Sequence, residues 1–138
     1  MALQIEALTI SPRGGPALFA PLTLTVAPAA VVTVMGPSGV GKSTLLDAIA
    51  GHLVQGFVQS GRIWLGGRDL TTLPAEARGI GMMFQDAVMF GHLSVGDNLA
   101  FGLTAALRGR AARRAAVEAA LQTAGLAGFY NRDPATLS

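Results

Sequence analysis

The chain has 138 residues, of which 51% are hydrophobic and 13% are charged, and its formal net charge is +2. This composition excludes a disordered chain and is sufficient for a domain with a hydrophobic core. The absence of cysteine excludes disulfides and cysteine-based metal sites. The cations are nine arginines and one lysine, spread along the chain, which disfavours a nucleic-acid-binding surface.

The first ten residues contain Glu6 and no basic side chain, so we do not expect a signal peptide. Residues 14–41 carry no formal charge, so a membrane-spanning helix is the alternative interpretation of this stretch. The stretch is interrupted by prolines, which disfavour that helix: Pro16, Pro21, Pro28 and Pro37. We therefore expect a soluble chain whose link to a membrane comes through a partner.

The first half of the chain alternates strand patterns with turns. Residues 3–10 and 22–26 are predicted strands, the second from its strict alternation of apolar side chains with threonine. Residues 31–35 (VVTVM) form an apolar β-branched run without a polar face, which predicts a strand buried on both sides, as in a parallel sheet. Residues 42–52 have apolar side chains at helical spacing and predict a helix.

In the second half, residues 61–65 predict a strand that ends in the turn Gly66-Gly67, and residues 80–84 (IGMMF) predict another buried strand. Residues from 93 onward predict helices. Residues 110–123 show the clearest helical pattern. Its predicted apolar face is Ala116, Val117, Ala120, Leu121 and Ala124, and its predicted polar face is Arg113, Arg114, Glu118 and Gln122.

A glycine-rich loop lies between the predicted strand 31–35 and the helix that follows. It matches the pattern G-x-x-x-x-G-K-[ST], in which backbone N–H groups and a helix N-terminus hold phosphate oxygens. We expect Lys42, the single lysine of the chain, to neutralise charge between the β- and γ-phosphates, and the Ser43 hydroxyl to ligate Mg²⁺. The predicted nucleotide-binding residues are Gly36, Pro37, Ser38, Gly39, Val40, Gly41, Lys42, Ser43 and Thr44.

Three further segments decide between families that share this loop. Residues 80–99 (IGMMFQDAVMFGHLSVGDNL) resemble the glutamine-loop region of ABC ATPases, and residues 60–70 (SGRIWLGGRDL) resemble the hairpin of that family. The ending DPATLS resembles the approach to the signature LSGGQ, after its first two residues Leu137 and Ser138. The chain therefore resembles the ATP-binding subunit of a bacterial ABC importer, truncated at the signature.

The resemblance implies an α/β fold: a P-loop NTPase (RecA-like) parallel-sheet core, an N-terminal antiparallel β subdomain and the start of an α-helical subdomain. We expect residues 1–86 to form the core and β subdomain, and residues 87–138 the helical subdomain. The resemblance implies ATP as the substrate with Mg²⁺. It also implies a dimer of ATPase subunits at the cytoplasmic face of the inner membrane, and a solute-binding protein as an indirect partner.

By the same resemblance, Gln85 ligates Mg²⁺ and helps to position the attacking water; the alternative is an ordinary polar residue at a strand end. Residues 86–98, beginning at Asp86, are expected to contact a transmembrane permease subunit. The apolar Met89, Phe90 and Leu93 suit that contact, or else pack beneath the loop.

Most members of the family place an aromatic residue after the first strand, where it stacks on adenine. Here that position is Arg13, whose guanidinium either stacks on the base or is a solvated turn residue. Phe19, the nearest aromatic residue, is expected in the core. His52 is expected to cap the end of the helix 42–52, and neither His52 nor His92 has metal-ligand spacing to other ligands.

The catalytic glutamate, the rest of the signature and the switch histidine of the family do not occur in these residues. We therefore expect the 138-residue chain by itself to bind Mg-ATP weakly, not to hydrolyse it, and to aggregate or oligomerise through an uncovered sheet edge. Alternative interpretations are a small-molecule kinase, a non-transport ABC protein that acts on DNA or ribosomes, and a nucleotide-sensing module. The spacing of the motifs leaves no room for the long insertions typical of the second alternative.

Overall fold

The computed structural model describes residues 1–85 and 88–137 and divides into two compact units, Met1–Met83 and Phe84–Ser138. The predictions for Asp86 and Ser138 lie outside the described residues. The first unit contains strands β1 (Leu3–Pro12), β2 (Leu22–Val26), β3 (Phe57–Leu65) and β4 (Arg68–Asp69), with helices α1 (Lys42–Ala50) and α2 (Ala75–Arg78). The second contains helices α3 (Val95–Phe101) and α4 (Arg110–Thr123), and a 3₁₀ turn at Pro134–Thr136. Neither unit's described helices are long and apolar enough to cross a membrane.

The strands of the first unit form an antiparallel sheet in the order β2-β1-β3-β4. Its core packs the sheet against α1 and contains Ile5, Leu8, Leu45, Ile63 and Leu70. The antiparallel β part of the prediction, and the prediction that Phe19 packs against the core, are thus confirmed.

A β-bulge in β1 lies opposite Gly61, the residue at which the sequence predicted that β3 begins. The pairing between β1 and β3 shifts between Glu6 and Thr9, and Ala7 has a positive φ of 45°. Gly61 lies opposite with a φ of 91°, and a Cβ there would be 2.5 Å from the Ala7 carbonyl oxygen. Gly61 is therefore the residue that admits the bulge, and β3 continues through it instead of beginning at it.

The two buried strands predicted at residues 31–35 and 80–84 are wrong for this structure. Both segments lack strand structure, and Val31, Met35 and Met83 are 93%, 87% and 96% exposed. A strand buried on both faces needs hydrogen-bonded neighbours at its edges and layers on its faces. The residues that the structure describes form only antiparallel strand pairs, so a parallel core sheet is not seen.

The core of the second unit lies between α3 and α4 and contains Val95, Val117 and Leu121. The bounds predicted for α4 are confirmed, and so is burial of Val117 and Leu121, whereas Ala120 and Ala124 are exposed. The Ser94 side chain caps the N-terminus of α3, where it accepts a hydrogen bond from the Asp97 N–H (3.1 Å).

Arg113 was expected on the polar face of α4, and this is wrong. Its guanidinium turns inward and donates hydrogen bonds to the carbonyl oxygens of Ala100 (2.6 Å), Leu107 (3.0 Å) and Thr104 (3.2 Å). Those carbonyls lie at the end of α3 and in the loop that follows it, and the carbonyls of Ala100 and Thr104 also accept from the N–H groups of Leu103 and Leu107. Arg113 therefore ties the α3–α4 connection to α4.

Candidate phosphate-binding site

The loop before α1 has the backbone geometry that its glycines predict. Gly39 and Gly41 have φ values of 80° and 95°, a region that side chains with a Cβ disfavour. Gly41 is also the residue directly before α1, at its N-cap, and a Cβ there would lie 3.0 Å from Leu18 Cδ1. The glycine at position 41 is therefore required by its dihedral angle and by its close neighbour.

Lys42, the first residue of α1, turns its side chain back over the loop. Its Nζ donates hydrogen bonds to the carbonyl oxygens of Gly36 (2.8 Å) and Pro37 (2.6 Å). These contacts hold the Lys42 ammonium against the first two carbonyls of the glycine-rich loop.

The first turn of α1 contributes further hydrogen-bond donors. The intrahelical bonds start with the Leu45 N–H, which donates to the Gly41 carbonyl (2.8 Å), so the amides of Lys42, Ser43 and Thr44 precede them. The first turn contains no acidic residue that would compete for these amides. The positive end of the helix dipole adds to the attraction for an anion.

A cavity of about 360 Å³ lies over this turn. Its described lining offers amides, hydroxyls and one ammonium and includes no carboxylate: Leu18, Ser38, Gly39, Gly41, Lys42, Ser43 and Thr44. A phosphate chain carries negative charge, so it is bound by hydrogen-bond donors and repelled by carboxylates. Six of the nine predicted nucleotide-binding residues thus line one cavity, whereas Gly36, Pro37 and Val40 are not among its described lining residues.

Leu18 is the lining residue that the sequence motif does not include. Its N–H donates to the Ile10 carbonyl at 2.8 Å, which ties the loop after β1 back to that strand. Its side chain forms an apolar wall next to Gly41. No pattern in the sequence points to this contact, because residues 18 and 41 are joined only by the tertiary fold.

Arg13 lies in the turn after β1, and its side chain is exposed. Its main-chain N–H donates to the Gly56 carbonyl at 2.8 Å, which fixes the backbone of the turn. Arg13 is not among the described residues that line the phosphate-sized cavity. Stacking of Arg13 on a base therefore stays a prediction.

Gln85 belongs to the second unit, where it lies in a bend with an exposed side chain. Within residues 1–85 and 88–137, the structure contains no cluster of three or more His, Asp or Glu side chains that would hold a metal ion. The main-chain N–H of His52 donates to the Asp47 carbonyl (2.8 Å), as does that of Gly51 (2.9 Å). His52 thus closes the C-terminus of α1 through its backbone.

The loop before α3 presents apolar side chains on the surface of the second unit. Met89 and Phe90 are 39% and 45% exposed, and the Phe90 ring lies edge-on to Phe101 with 4.9 Å between ring centroids. Asn98 holds this loop from α3. Its side-chain oxygen accepts from the Phe90 N–H (2.8 Å), and its Nδ2 donates to the carbonyls of Phe90 (3.1 Å) and Leu93 (3.2 Å).

A glycine-rich loop, its lysine and a following helix define the P-loop NTPase class of domains. Residues 19–138 match the protein family described as "ABC transporter", and the chain belongs to that family.

Several curated bacterial proteins are similar to the chain. It is 47% identical over 117 residues to the "Uncharacterized ABC transporter ATP-binding protein YnjD" of Escherichia coli (strain K12), an alignment of 85% of this chain and 54% of that protein. It is 44% identical over 117 residues to the "Fe(3+) ions import ATP-binding protein FbpC" of Agrobacterium fabrum, covering 85% of this chain and 32% of that protein. It is 41% identical over 138 residues to the "Putative 2-aminoethylphosphonate import ATP-binding protein PhnT" of Salmonella paratyphi A, covering 99% of this chain and 36% of that protein. The chain thus spans between about a third and about half the length of these relatives.

Proposed function

We propose that this chain binds ATP through residues 36–44 and that the complete protein hydrolyses ATP to drive solute import across a membrane. One observation carries the proposal: at the start of α1, the Lys42 ammonium turns back onto the glycine-rich loop and lies 2.8 Å from the Gly36 carbonyl oxygen. Membership of the ABC transporter family and the names of two import relatives support the transport role.

Within the site, Lys42 neutralises the charge between the β- and γ-phosphates, and the amides of residues 39–44 hold phosphate oxygens. The exposed Ser43 hydroxyl ligates Mg²⁺. Mg²⁺ retains several waters and binds chiefly to substrate phosphates, so it does not need a cage of carboxylates. The lining of amides, hydroxyls and ammonium around Ser43 is consistent with this division of ligands.

Gln85 completes the site, as a second ligand of Mg²⁺ and a positioning group for the attacking water. A glutamine side-chain oxygen is a weak ligand, which suits a residue that engages only when nucleotide is bound. For the base, we propose that the Arg13 guanidinium stacks on adenine from the turn after β1. The planar, delocalised cation is suited to an aromatic face.

The partner surface is the 86–98 region, which receives the transmembrane permease subunit. The exposed apolar side chains of Met89 and Phe90 support a protein contact there. A second copy of the ATPase subunit completes a homodimer, and a solute-binding protein acts through the permease. The protein then works as a peripheral subunit at the cytoplasmic face of the inner membrane.

The complete protein has a parallel, RecA-like core sheet. The apolar segments 31–35 and 80–84 are irregular in this structure and leave large side chains in solvent, including Val31 and Met83. Pairing with a neighbouring parallel strand would bury these side chains and satisfy the backbone groups of both segments.

ATP hydrolysis by the complete protein tests this function. Gln85→Ala is expected to leave the Kd of Mg-ATP unchanged and to slow turnover by on the order of tenfold to a hundredfold, since it removes a positioning group from phosphoryl transfer. Gln122→Ala, an exposed glutamine of α4 in the same unit, is the matched control and should retain wild-type turnover. Absence of ATP hydrolysis by the wild-type protein would contradict the proposal.

A further inference from the structure

Another cavity, of about 460 Å³, lies within the second unit, beside α3, the start of α4 and Tyr130. This volume is in the range of small-molecule binding pockets, about 300–1,000 Å³. Three arginines line it, Arg110, Arg113 and Arg114, against the one carboxylate of Asp97 in its described lining. The cavity therefore has an excess of positive charge, and it shares no described residue with the phosphate-binding cavity of the first unit.

The Asp97 carboxylate forms no ion pair with these arginines in the part of the chain that the structure describes. Its Oδ2 accepts from the Ser94 hydroxyl (2.7 Å), and its Oδ1 accepts from the Tyr130 hydroxyl (3.4 Å). Arg113 donates to main-chain carbonyl oxygens, which carry no net charge. The charge of Arg113 is thus held beside the cavity without a carboxylate bound to it.

Arg114 is oriented by an aromatic ring. Its guanidinium lies over Tyr130, 4.2 Å from the ring centroid, and a stacked guanidinium keeps the N–H donors at its edge available. Tyr130 is held in turn, because its carbonyl accepts from the Gly96 N–H at 2.8 Å. Arg114 also pairs with Glu118 at 3.4 Å, but both side chains are largely exposed, and such a pair is weak enough to exchange for a better acceptor.

Arg110, the first residue of α4, is exposed and has no ion pair among the described residues. It stands with two further arginines in the first five residues of α4, and the first turn of this helix contains no acidic residue. Cations at this end are disfavoured by the positive end of the helix dipole. The arginine cluster therefore does not stabilise α4, and a bound anion would relieve the repulsion.

We propose that this cavity binds a small phosphate monoester. Arg110 and Arg114 donate to the phosphate oxygens, and Arg113 contributes its charge. A phosphate monoester has three strong acceptor oxygens and a charge of about −1.5 to −2 at pH 7. Two available guanidinium groups and the excess of positive charge match this group better than a single carboxylate, and guanidinium binds phosphate with paired hydrogen bonds. The inference goes beyond the proposed ATPase function and does not depend on it.

Calorimetric titration of glycerol 3-phosphate into the complete protein tests the site. Every sample carries Lys42→Ala, which weakens any binding of the ester at the loop of the first unit. We expect a Kd below about 1 mM. Arg110→Gln should weaken binding by at least about tenfold, because a charge-assisted contact is lost. Arg108→Gln removes the same charge from an exposed arginine outside the described lining, and as the matched control it should change the Kd by less than about twofold.

Asp97→Asn tests the same cavity with the opposite sign. The substitution removes the negative charge from the lining, whereas the asparagine oxygen can still accept a hydrogen bond. Affinity for glycerol 3-phosphate should therefore rise by at least about threefold. Asp133→Asn is the control, since Asp133 is exposed and lies outside the described lining of this cavity. Circular dichroism and thermal melting verify that each variant is folded at the assay temperature.

A phosphate monoester is either a soluble metabolite or the headgroup of a lipid. Co-sedimentation with phosphatidylcholine vesicles that contain phosphatidic acid distinguishes these sources, because phosphatidic acid has a monoester headgroup. Vesicle binding that is lost in Arg110→Gln and retained in Arg108→Gln assigns the site to a lipid. Binding of glycerol 3-phosphate without vesicle binding assigns it to a soluble ester.

Equal losses in Arg110→Gln and Arg108→Gln would show diffuse charge attraction and overturn the site. An unchanged Kd in folded Arg110→Gln would do the same, as would the absence of binding to both the ester and the vesicles. Because these residues lie in the second unit and outside the loop 36–44, such results would leave the proposed ATPase function intact.

Discussion

The Leu18 side chain lies against Gly41, with Leu18 Cδ1 3.0 Å from the position of a Cβ at residue 41. This contact joins the loop after β1 to the glycine directly before α1, and it supports the glycine-rich loop from outside. The geometry of the phosphate cavity thus depends on a neighbour distant in sequence as well as on the loop's own dihedral angles.

Gly41→Ala is expected to weaken Mg-ATP binding by at least about tenfold and to destabilise the fold by about 1–2 kcal/mol, because it adds backbone strain to a clash with Leu18. Calorimetric titration and thermal melting measure the two effects. Gly14→Ala is the matched control, since Gly14 also has a positive φ (75°) but a Cβ there meets nothing within 4 Å. Equal effects of the two substitutions would show that the Leu18 contact does not matter.

Gly61→Ala is expected to destabilise the first unit by about 2 kcal/mol or more, because its Cβ would collide with the backbone of the β-bulge at Ala7. Chemical denaturation monitored by circular dichroism gives the free energy of unfolding. Gly67→Ala, in the turn between β3 and β4, shares the positive φ (83°) without a neighbour within 4 Å. A loss at Gly61 no larger than the loss at Gly67 would contradict the bulge contact.

Gly96 allows a test of a close glycine contact in the second unit, like the test of Gly61 in the first. Its N–H donates to the Tyr130 carbonyl at 2.8 Å, and a Cβ at residue 96 would fall on the Tyr130 ring. Gly96→Ala should destabilise this unit by about 2 kcal/mol or more, and combining it with Tyr130→Ala should recover part of the loss. Gly102→Ala, whose φ is −77°, should be nearly neutral; additive losses for Gly96 and Tyr130 would rule out the proposed clash.

Asn98→Asp is expected to loosen the loop before α3, because a carboxylate still accepts from the Phe90 N–H but cannot donate to the carbonyls of Phe90 and Leu93. Amide hydrogen exchange of residues 90–94 should become at least about tenfold faster, because the substitution lowers the free energy of locally opening this loop. Asn131→Asp, at an exposed position, is the control. Unchanged exchange in Asn98→Asp would show that the side chain does not hold the loop.

The sequence predicts those parts of the fold that depend on local pattern. The alternation in β2, the helical spacing in α4 and the glycines before α1 each act over a few residues. β2 and α4 have the predicted bounds, and α1 begins at Lys42 as predicted but ends at Ala50, two residues before the predicted end. The segments 31–35 and 80–84 were misjudged because an apolar run does not specify which strands lie beside it. A strand requires those neighbours.

Two arginines show a second limit of prediction from the sequence. Arg78 and Arg113 look like solvated cations in the sequence, yet both bind main-chain carbonyls near a helix end. Main-chain acceptors are present at every residue and leave no mark in the sequence. Their pairing with a particular arginine is therefore visible only in the folded chain. Leu18 at the phosphate cavity was missed for the same reason.

The most direct test of the central claim is a calorimetric titration of Mg-ATP into the complete protein and its Lys42→Ala variant, with Arg68→Ala as the control cation. Removing the ammonium from the glycine-rich loop should weaken binding by on the order of a hundredfold, since a charge-assisted contact with phosphate is lost from a preorganised site. Arg68→Ala should bind as the wild type does. Mg-ATP affinity that is unchanged in folded Lys42→Ala would contradict the assignment of residues 36–44 as the phosphate-binding loop.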